Sequence, residues 1–256
     1  MKKLVIRADD LGYCEGVNYG ILKSIRDGLV RTVGLMPNME YARHGYELIR
    51  GFDVCLGQHS NVSVGRPCAD PSRIPSLLKE NGEFRSSSEY RSAFQKGEEF
   101  VVTEEAVIEL EAQYERFQEI TGKKPEYFEA HAVVSDNLIQ ALNIVAKRHG
   151  LRLQEISFDG SLCRFDDMTV RMLPLDVITL PEYEPFEALK AGIVRHREED
   201  APIVSVYHPG YVDAFLLRNS SLNINRARET EMLCDPSVRR WLEDQNVELV
   251  TYRDLP

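Results

Sequence analysis

The chain has 256 residues, of which 43% are hydrophobic and 28% are charged. This length and balance are typical of one globular domain, so a disordered, collagen-like or coiled-coil protein is not expected. The 41 acidic residues outnumber the 31 basic ones and leave a formal net charge of -10. Because such a surface repels a phosphate backbone, no nucleic-acid partner is expected.

Hydropathy and cysteine usage predict a cytoplasmic protein. The first residues lack the features of a signal peptide, and no window approaches the roughly 18 apolar residues of a membrane span, so no membrane partner is expected. The five cysteines are an odd number, and no two of them form a C-x-x-C pair. A disulfide framework and a zinc knuckle are therefore not indicated, and a reducing compartment fits best.

Short β-branched runs alternate with amphipathic stretches along the chain, which predicts strand–helix units around a largely parallel sheet or barrel. In chain order the predicted elements are strand 3–6, helix 15–27, strand 30–36, helix 40–50, strand 54–56, helix 103–121, strand 127–133, helix 136–149, strand 151–157, helix 184–197, strand 203–207, helix 226–243 and strand 247–252. We therefore predict an α/β fold of about seven strands in a single domain over residues 1–256.

Glycine and proline mark where the predicted helices end. Four of the six predicted helices stop at a glycine, the residue that a left-handed C-cap favours. The pair Asp235-Pro236 predicts either a kink or the start of a second helix within residues 226–243. Residues from about 60 to 100 fit neither the helical nor the strand periodicity of apolar residues. A loop of this length is usually functional, for example as a lid over a binding site.

Polar side chains follow several predicted strands at their C-terminal ends, where parallel sheets and barrels build their sites. These residues are Asp9, Asp10, Asn38, His59, His131 and His208. The sequence contains no G-x-x-x-x-G-K-[ST], G-x-G-x-x-G, G-x-S-x-G or H-E-x-x-H motif. Nucleotide binding and serine hydrolysis therefore lack their usual support.

Each of these residues has a structural as well as a functional interpretation. Adjacent carboxylates at Asp9 and Asp10 suit a metal ligand beside a base, but one of them could cap the next helix. His59 and His131 could be satisfied core residues, although together with a carboxylate they form a facial site suited to Zn²⁺, Mg²⁺, Mn²⁺ or Fe²⁺. His208, before Pro209-Gly210, could be a general acid or could bond a turn carbonyl.

An ordered set of motifs resembles the YdjC-like (ChbG-type) carbohydrate deacetylase family over nearly the whole chain. The matching segments are Arg7-Ala8-Asp9-Asp10-Leu11-Gly12, Gly16-Val17-Asn18-Tyr19-Gly20-Ile21, Gly28-Leu29-Val30, Met36-Pro37-Asn38, Leu56-Gly57-Gln58-His59, Pro75-Ser76-Leu77-Leu78, Gly82-Glu83-Phe84, His131, Tyr207-His208-Pro209-Gly210-Tyr211 and Arg228-Glu229-Thr230-Glu231. The resemblance implies an irregular (β/α) barrel, commonly dimeric, that removes an N-acetyl group from a chito-oligosaccharide or related amino sugar with a divalent metal ion.

The same resemblance implies roles for individual residues. Three positions match metal ligands, namely Asp10, His59 and His131. Asp9 matches the general base and His208 the proton donor. Arg228 matches a structural or substrate-orienting position, and we also expect Asn38 and Tyr211 to contact substrate.

The segment Tyr127-Phe128-Glu129-Ala130-His131-Ala132-Val133 departs from the family, where a stretch resembling H-x-D-x-H-x-H is frequent. The chain keeps one histidine there and has Glu129 in place of the aspartate, and Ser60 follows His59 where leucine is more usual. The expected consequence is that the metal ligand survives while neighbouring contacts to substrate or to the ligands are lost. A different substrate, another metal preference or lost activity would follow.

The resulting hypothesis is a metal-dependent carbohydrate deacetylase that acts on an oligosaccharide or other small-molecule substrate. The first expected ion is Mg²⁺, and Zn²⁺ and Mn²⁺ are the alternatives. The expected assembly is a homodimer. An alternative is a catalytically weakened sugar-binding or regulatory homologue. A metal-dependent phosphoesterase ranks last, because Arg7 and Arg66 are the only early cations that could hold a phosphate.

Overall fold

Strands and helices alternate through the computed structural model, which describes residues 1–133 and 135–256. The strands are β1 (Lys2–Leu11), β2 (Thr32–Leu35), β3 (Cys55–Ser60), β4 (Phe128–Ala130), β5 (Leu162–Phe165), β6 (Met168–Met172), β7 (Ile203–Tyr207) and β8 (Val247–Val250). The helices are α1 (Glu15–Arg26), α2 (Ala42–Ile49), α3 (Ser87–Lys96), α4 (Thr103–Thr121), α5 (Asp136–His149), α6 (Pro185–Arg195), α7 (Ala214–Asn219), α8 (Ile224–Cys234) and α9 (Pro236–Asp244). None of the helices in these two ranges combines the length and hydropathy that a bilayer span requires.

The central strand of the sheet is β1. The strand order is β4-β3-β2-β1-β7-β6-β5, and β8 also pairs with β1. All pairings between these strands are parallel except that of β5 with β6. β8 lies beside the first half of β1 and β2 beside the second half, since Lys2 pairs with Val247 and Arg7 with Thr32. Because helices and strands cover both of its faces, β1 is buried from Leu4 to Leu11.

The segment 151–157 joins the two outer strands and closes the sheet. Leu153 bridges Phe128 of β4 in parallel, and Gln154 bridges Phe165 of β5 in the antiparallel sense. The prediction of a regular strand at 151–157 is wrong, because isolated bridges and not a continuous ladder form there. The predicted α/β fold, an irregular barrel of mostly parallel strands, is confirmed.

Other elements also differ from the sequence prediction, among them α3, which was not predicted within residues 60–100. The hairpin β5–β6 was not predicted, because Leu162–Phe165 alternates exposed and buried residues and therefore lacks the continuous apolar run of the other strands. The predicted helix 226–243 is two helices, which confirms that Asp235-Pro236 starts a second helix. Pro236 cannot continue α8, and Asp235 caps α9 by accepting a hydrogen bond from the backbone of Ser237 at 2.7 Å. The short helix α7 was not predicted either.

Residues 60–100 are packed against the barrel. The segment contains two 3₁₀ turns, Pro71–Arg73 and Pro75–Leu77, followed by α3. α3 begins with a capping box in which Ser86 and Glu89 bond each other's backbone N–H groups. Buried residues of the segment share an apolar cluster with α4 and α5, so this stretch packs onto these helices and contains a helix of its own, α3.

Candidate active site

The C-terminal ends of β1, β3, β4 and β7 meet at one end of the barrel. Because these strands are parallel, the polar residues at their ends lie on the same side. β1 supplies Asp9 and Asp10, and β3 supplies His59. His131 follows β4 and His208 follows β7. The structure therefore brings together five residues that are far apart in sequence.

Three of these residues converge on one point. Oδ1 of Asp10 lies 3.1 Å from Nε2 of His59 and 3.0 Å from Nδ1 of His131, and the two ring nitrogens are 2.8 Å apart. Donor atoms placed at right angles about 2.1 Å from a single metal ion lie about 3 Å from one another. Two imidazoles and a carboxylate in this arrangement therefore fit three adjacent positions around a divalent cation.

The backbone of Asp10 is turned so that its carboxylate reaches both histidines. Its φ angle is +73°, a left-handed conformation that is uncommon for a residue with a Cβ atom. The register of β1 with β2 shifts between Ala8 and Leu11, which accommodates this turn. The second carboxylate oxygen, Oδ2, accepts a 2.7 Å hydrogen bond from Nη2 of Arg226. Burial opposes the charge of Asp10, but Arg226 and His131 outweigh it and hold the pKa of Asp10 well below its usual value.

Asp9 is held by a guanidinium on the same strand. Nε and Nη2 of Arg7 donate to the two carboxylate oxygens of Asp9 at 2.8 and 2.7 Å. Both side chains are buried. Burial opposes ionisation of Asp9, but the charges of Arg7 and His59 lower its pKa. The geometry thus keeps Asp9 as a carboxylate at neutral pH.

Glu129 contacts a member of the three-residue cluster. Its Oε1 accepts a 2.5 Å hydrogen bond from Nδ1 of His59, so the other ring nitrogen points at Asp10 and His131. A carboxylate on the second nitrogen of a ligating histidine sets its tautomer and raises its basicity. The expectation that the altered segment loses contacts to the ligands is therefore wrong for Glu129. Its side chain supplies such a contact, to the proposed ligand His59.

His208 has a partly buried side chain that lines the cavity end of the barrel. Its backbone N–H donates to Oε2 of Glu229 at 2.6 Å, but Nδ1 has no hydrogen-bond partner among the residues described. Burial and the positive charge of Arg226 lower the pKa of His208 to about 4, against the opposing effect of Asp10. The ring is therefore neutral at pH 7.

A cavity of about 780 Å³ opens above these residues. Its floor carries all five site residues together with Arg7 and Arg226. Residues of α3 and of the loops after 155, 174 and 218 form its walls. A volume of this size suits a ligand of drug-like dimensions.

Three residues expected at the substrate lie outside this cavity. Asn38 donates to the carbonyl groups of Val64 and Arg66 and so fixes the loop after β3. Tyr211 lies on the outer surface beside α1 and α8. Arg228 donates to the carbonyl groups of Pro181 and Tyr183, which fixes the loop before α6.

Sequence reasoning missed Arg226 as a site residue. It is buried, and it bonds Asp10 from the first turn of α8. No motif signals this, since its partner is 216 positions away. Arg7 could have been recognised as a partner of Asp9, because residues two apart on a strand share a face. Of the two arginines considered for a phosphate, Arg7 is bonded to a carboxylate and Arg66 does not line the cavity, which argues against the phosphate-binding interpretation.

Proteins of known family are similar to this chain over nearly its whole length. The profile of the YdjC-like protein family matches residues 3–244. Carbohydrate deacetylase 2 of Listeria innocua serovar 6a is 30% identical over 259 residues, covering 99% of each chain. The carbohydrate deacetylase of Geobacillus stearothermophilus is 31% identical over 258 residues, covering 98% of this chain and 96% of the relative.

A solved structure shares the fold. It is that of a candidate cellobiose-phosphate cleavage protein from Enterococcus faecalis V583, which is 23% identical to this chain and superposes with a TM-score of 0.84. The alignment covers 99% of this chain and 98% of the other. The likeness extends over the whole barrel and its helices.

Proposed function

The chain belongs to the YdjC-like family of carbohydrate deacetylases, and from this premise we propose that it hydrolyses the N-acetyl group of an amino sugar or chito-oligosaccharide with a divalent metal ion. The observation that carries the proposal is that one ligand atom each of Asp10, His59 and His131 lies within about 3 Å of the other two. Such a facial set leaves positions open for water and a carbonyl oxygen.

The three ligand atoms also bear on the choice of ion. Mg²⁺ is the first expected ion, but Mg²⁺ and Mn²⁺ prefer oxygen ligands, whereas two imidazole nitrogens suit Zn²⁺ better. The test of the function described below therefore includes Mg²⁺, Zn²⁺ and Mn²⁺. When bound, such a cation polarises a carbonyl group and lowers the pKa of water.

Asp9 is the proposed general base. Its carboxylate lines the cavity next to the proposed ligand Asp10, and Arg7 holds both of its oxygens in place. Because the pKa of Asp9 is lowered, the group is ionised at neutral pH, as a proton acceptor must be. A base positioned in this way typically contributes 10²–10⁴-fold to the rate, as an order of magnitude.

His208 is the proposed proton donor to the departing amine. It lines the same cavity as Asp9, and its ring is neutral at pH 7 because of its lowered pKa. A neutral ring must first receive the proton that it donates, and Asp9, after accepting a proton from water, is the source within the cavity. Without a donor the leaving group would be an amide anion, which departs poorly.

Metal content and acetate release test this function. The purified protein is freed of metal, reloaded with Mg²⁺, Zn²⁺ or Mn²⁺, and assayed on N-acetylated chito-oligosaccharides. We expect one bound ion per chain and a loss of acetate release of at least about 100-fold in Asp10→Asn and His59→Ala. Asp167→Asn, whose side chain is fully exposed, is the matched control. Unchanged activity in both site variants contradicts the proposal, and tight sugar binding without acetate release in the native protein indicates the non-catalytic alternative.

We also propose a reducing, cytoplasmic location and a homodimer. The support for the location is that the five cysteines are free thiols at separate places in the fold. The support for the dimer is the family resemblance. Sedimentation analysis and fractionation of cells test these two points.

A further inference from the structure

The face of α3 that lines the cavity has no role in the function described so far. α3 is anchored by Tyr90, which is buried, bonds the carbonyl of Val62 at 3.2 Å, and packs on Phe100 at a ring distance of 4.8 Å. Residues three, four, seven and eight positions apart share one face of a helix. On α3 these are Ser87, Arg91, Phe94 and Gln95, and all four line the cavity above Asp10.

Phe94 is exposed on this face. Its side chain is 62% exposed, although a large aromatic group normally gains by burial. Across the cavity, Phe158 is also partly exposed at 36%. A cavity that combines apolar rings in its wall with charged and polar groups suits a ligand that has both hydroxyl groups and an apolar face, as a pyranose ring does.

Arg91 and Gln95 add hydrogen-bond donors beside this ring. Among residues 1–133 and 135–256, no hydrogen bond or ion pair is formed by the guanidinium of Arg91. The two guanidiniums at the floor of the cavity, by contrast, are both bonded to carboxylates. Unlike these two, the guanidinium of Arg91 is therefore available to hydroxyl or acetamide oxygens of a ligand.

The cavity is also larger than one sugar requires. Its volume of about 780 Å³ lies in the upper part of the range for drug-sized ligands, whereas a single N-acetylated hexosamine has only about 15 non-hydrogen atoms, about half of such a ligand. A sugar that places its acetamide at Asp10 therefore leaves room towards α3.

We propose that α3 forms a subsite for a second sugar ring, with Phe94 stacking on its apolar face and Arg91 and Gln95 donating to its oxygens. The substrate is then an oligosaccharide of at least two rings. This inference rests on the proposed deacetylase function, and it assigns specificity to α3.

The test compares kcat/KM for acetate release from N,N′-diacetylchitobiose with that from N-acetylglucosamine, using the metal-loaded protein. We expect the native protein to prefer the disaccharide. Phe94→Ala should lower the ratio of the two kcat/KM values about tenfold, because the apolar contact with the second ring is lost. Phe94→Tyr, which keeps the ring, should retain the native ratio. Phe52→Ala removes a phenyl group of 38% exposure that is not part of the cavity lining, and is the matched control.

Several outcomes overturn the inference. Equal kcat/KM values for the two sugars in the native protein would do so, as would an unchanged ratio in a folded Phe94→Ala variant. An altered oligomeric mass of that variant with the native ratio would instead assign Phe94 to a protein interface. If the native protein releases no acetate from any sugar, the proposed function fails, and calorimetric titration with the disaccharide and the monosaccharide still decides the subsite. Tighter binding of the disaccharide that depends on Phe94 supports it, and equal binding overturns it.

Discussion

Two buried arginine–aspartate pairs hold the charged groups of the site. Arg7 pairs with Asp9 and Arg226 with Asp10, and all four side chains are at most 3% exposed. Burying a charge costs several kcal/mol, as an order of magnitude, unless a partner of opposite sign and good hydrogen bonds compensate. The pair with Asp10 matters most, because Asp10 also has a left-handed backbone that its surroundings must maintain.

Removing the guanidinium of Arg226 should therefore destabilise the protein more than removing any nearby exposed charge. We expect Arg226→Gln to lower the free energy of unfolding of the metal-free protein by about 3–5 kcal/mol, since the Asp10 carboxylate is left buried without its partner. Arg228→Gln, two residues along the same helix and bonded only to loop carbonyls, should cost about 1 kcal/mol. Urea unfolding measures both values, and equal losses would show that the pair with Asp10 has no special role.

At the scale of elements, α4 holds the start of the 60–100 segment through a buried carboxylate. Oε1 and Oε2 of Glu109 accept hydrogen bonds from the backbone N–H groups of Cys68 and Ala69 at 3.0 and 2.9 Å, and Gln113 donates to Oε1 at 2.7 Å. Burial raises the pKa of Glu109 from 4.5 to about 7, although these hydrogen bonds oppose the shift. The segment that carries α3 is thus tied to a group that titrates near neutrality.

This raised pKa predicts a pH-dependent stability. Between pH 4.5 and about 7 the folded chain keeps the proton on Glu109 while the unfolded chain releases it, so stability falls as the pH rises through this window. The reference is the Glu109→Gln variant, which cannot titrate at this position. Relative to that variant, the free energy of unfolding of the native protein should fall by about 3 kcal/mol across the window and stay constant at higher pH. Urea unfolding at several pH values measures this difference. The exposed Glu115→Gln on the same helix should show no such trend, and a flat difference for Glu109→Gln would contradict the assignment.

At the scale of the whole molecule, close backbone contacts fix the outer helices against the active end of the barrel. A Cβ atom on Gly20 of α1 would lie 2.3 Å from Cα of Gly210, in the turn that follows His208. Only glycine allows this approach, because the opposing atoms are backbone and cannot rotate away. The position of His208 therefore depends on how closely α1 packs on this turn.

Gly20→Ala should separate α1 from the turn. We expect a loss of stability of about 2 kcal/mol or more from overpacking, and a fall in kcat greater than the change in KM, because His208 moves with the turn. Gly51→Ala is the matched control, since no atom lies within 4 Å of the added Cβ; it should leave stability unchanged or raise it by about 0.4–1 kcal/mol. Thermal unfolding and steady-state kinetics distinguish the two variants, and a native-like Gly20→Ala would refute the packing argument.

The sequence by itself determined the α/β class, most strands and helices, and the residues at the C-terminal strand ends. Apolar runs with β-branched residues and glycine C-caps are local signals, so α1, α4, α5 and β7 were predicted close to their observed bounds. β1 continues to Leu11, well beyond the predicted strand 3–6, because its second half carries the polar residues Arg7, Asp9 and Asp10. Adjacent Asp9 and Asp10 and the two histidines could likewise be identified as candidates, because the ends of parallel strands must meet on one side of a sheet.

Only the tertiary structure decided which atoms meet and in what order the sheet closes. The contact between Arg226 and Asp10 spans 216 positions and that between His59 and Glu129 spans 70. Neither contact produces a periodic or local pattern in the sequence. The same holds for the bridges of segment 151–157, for the hairpin β5–β6, and for the face of α3 that lines the cavity. Local sequence patterns record which side of an element is buried, whereas the partner across a closed barrel is set by the packing of the whole chain.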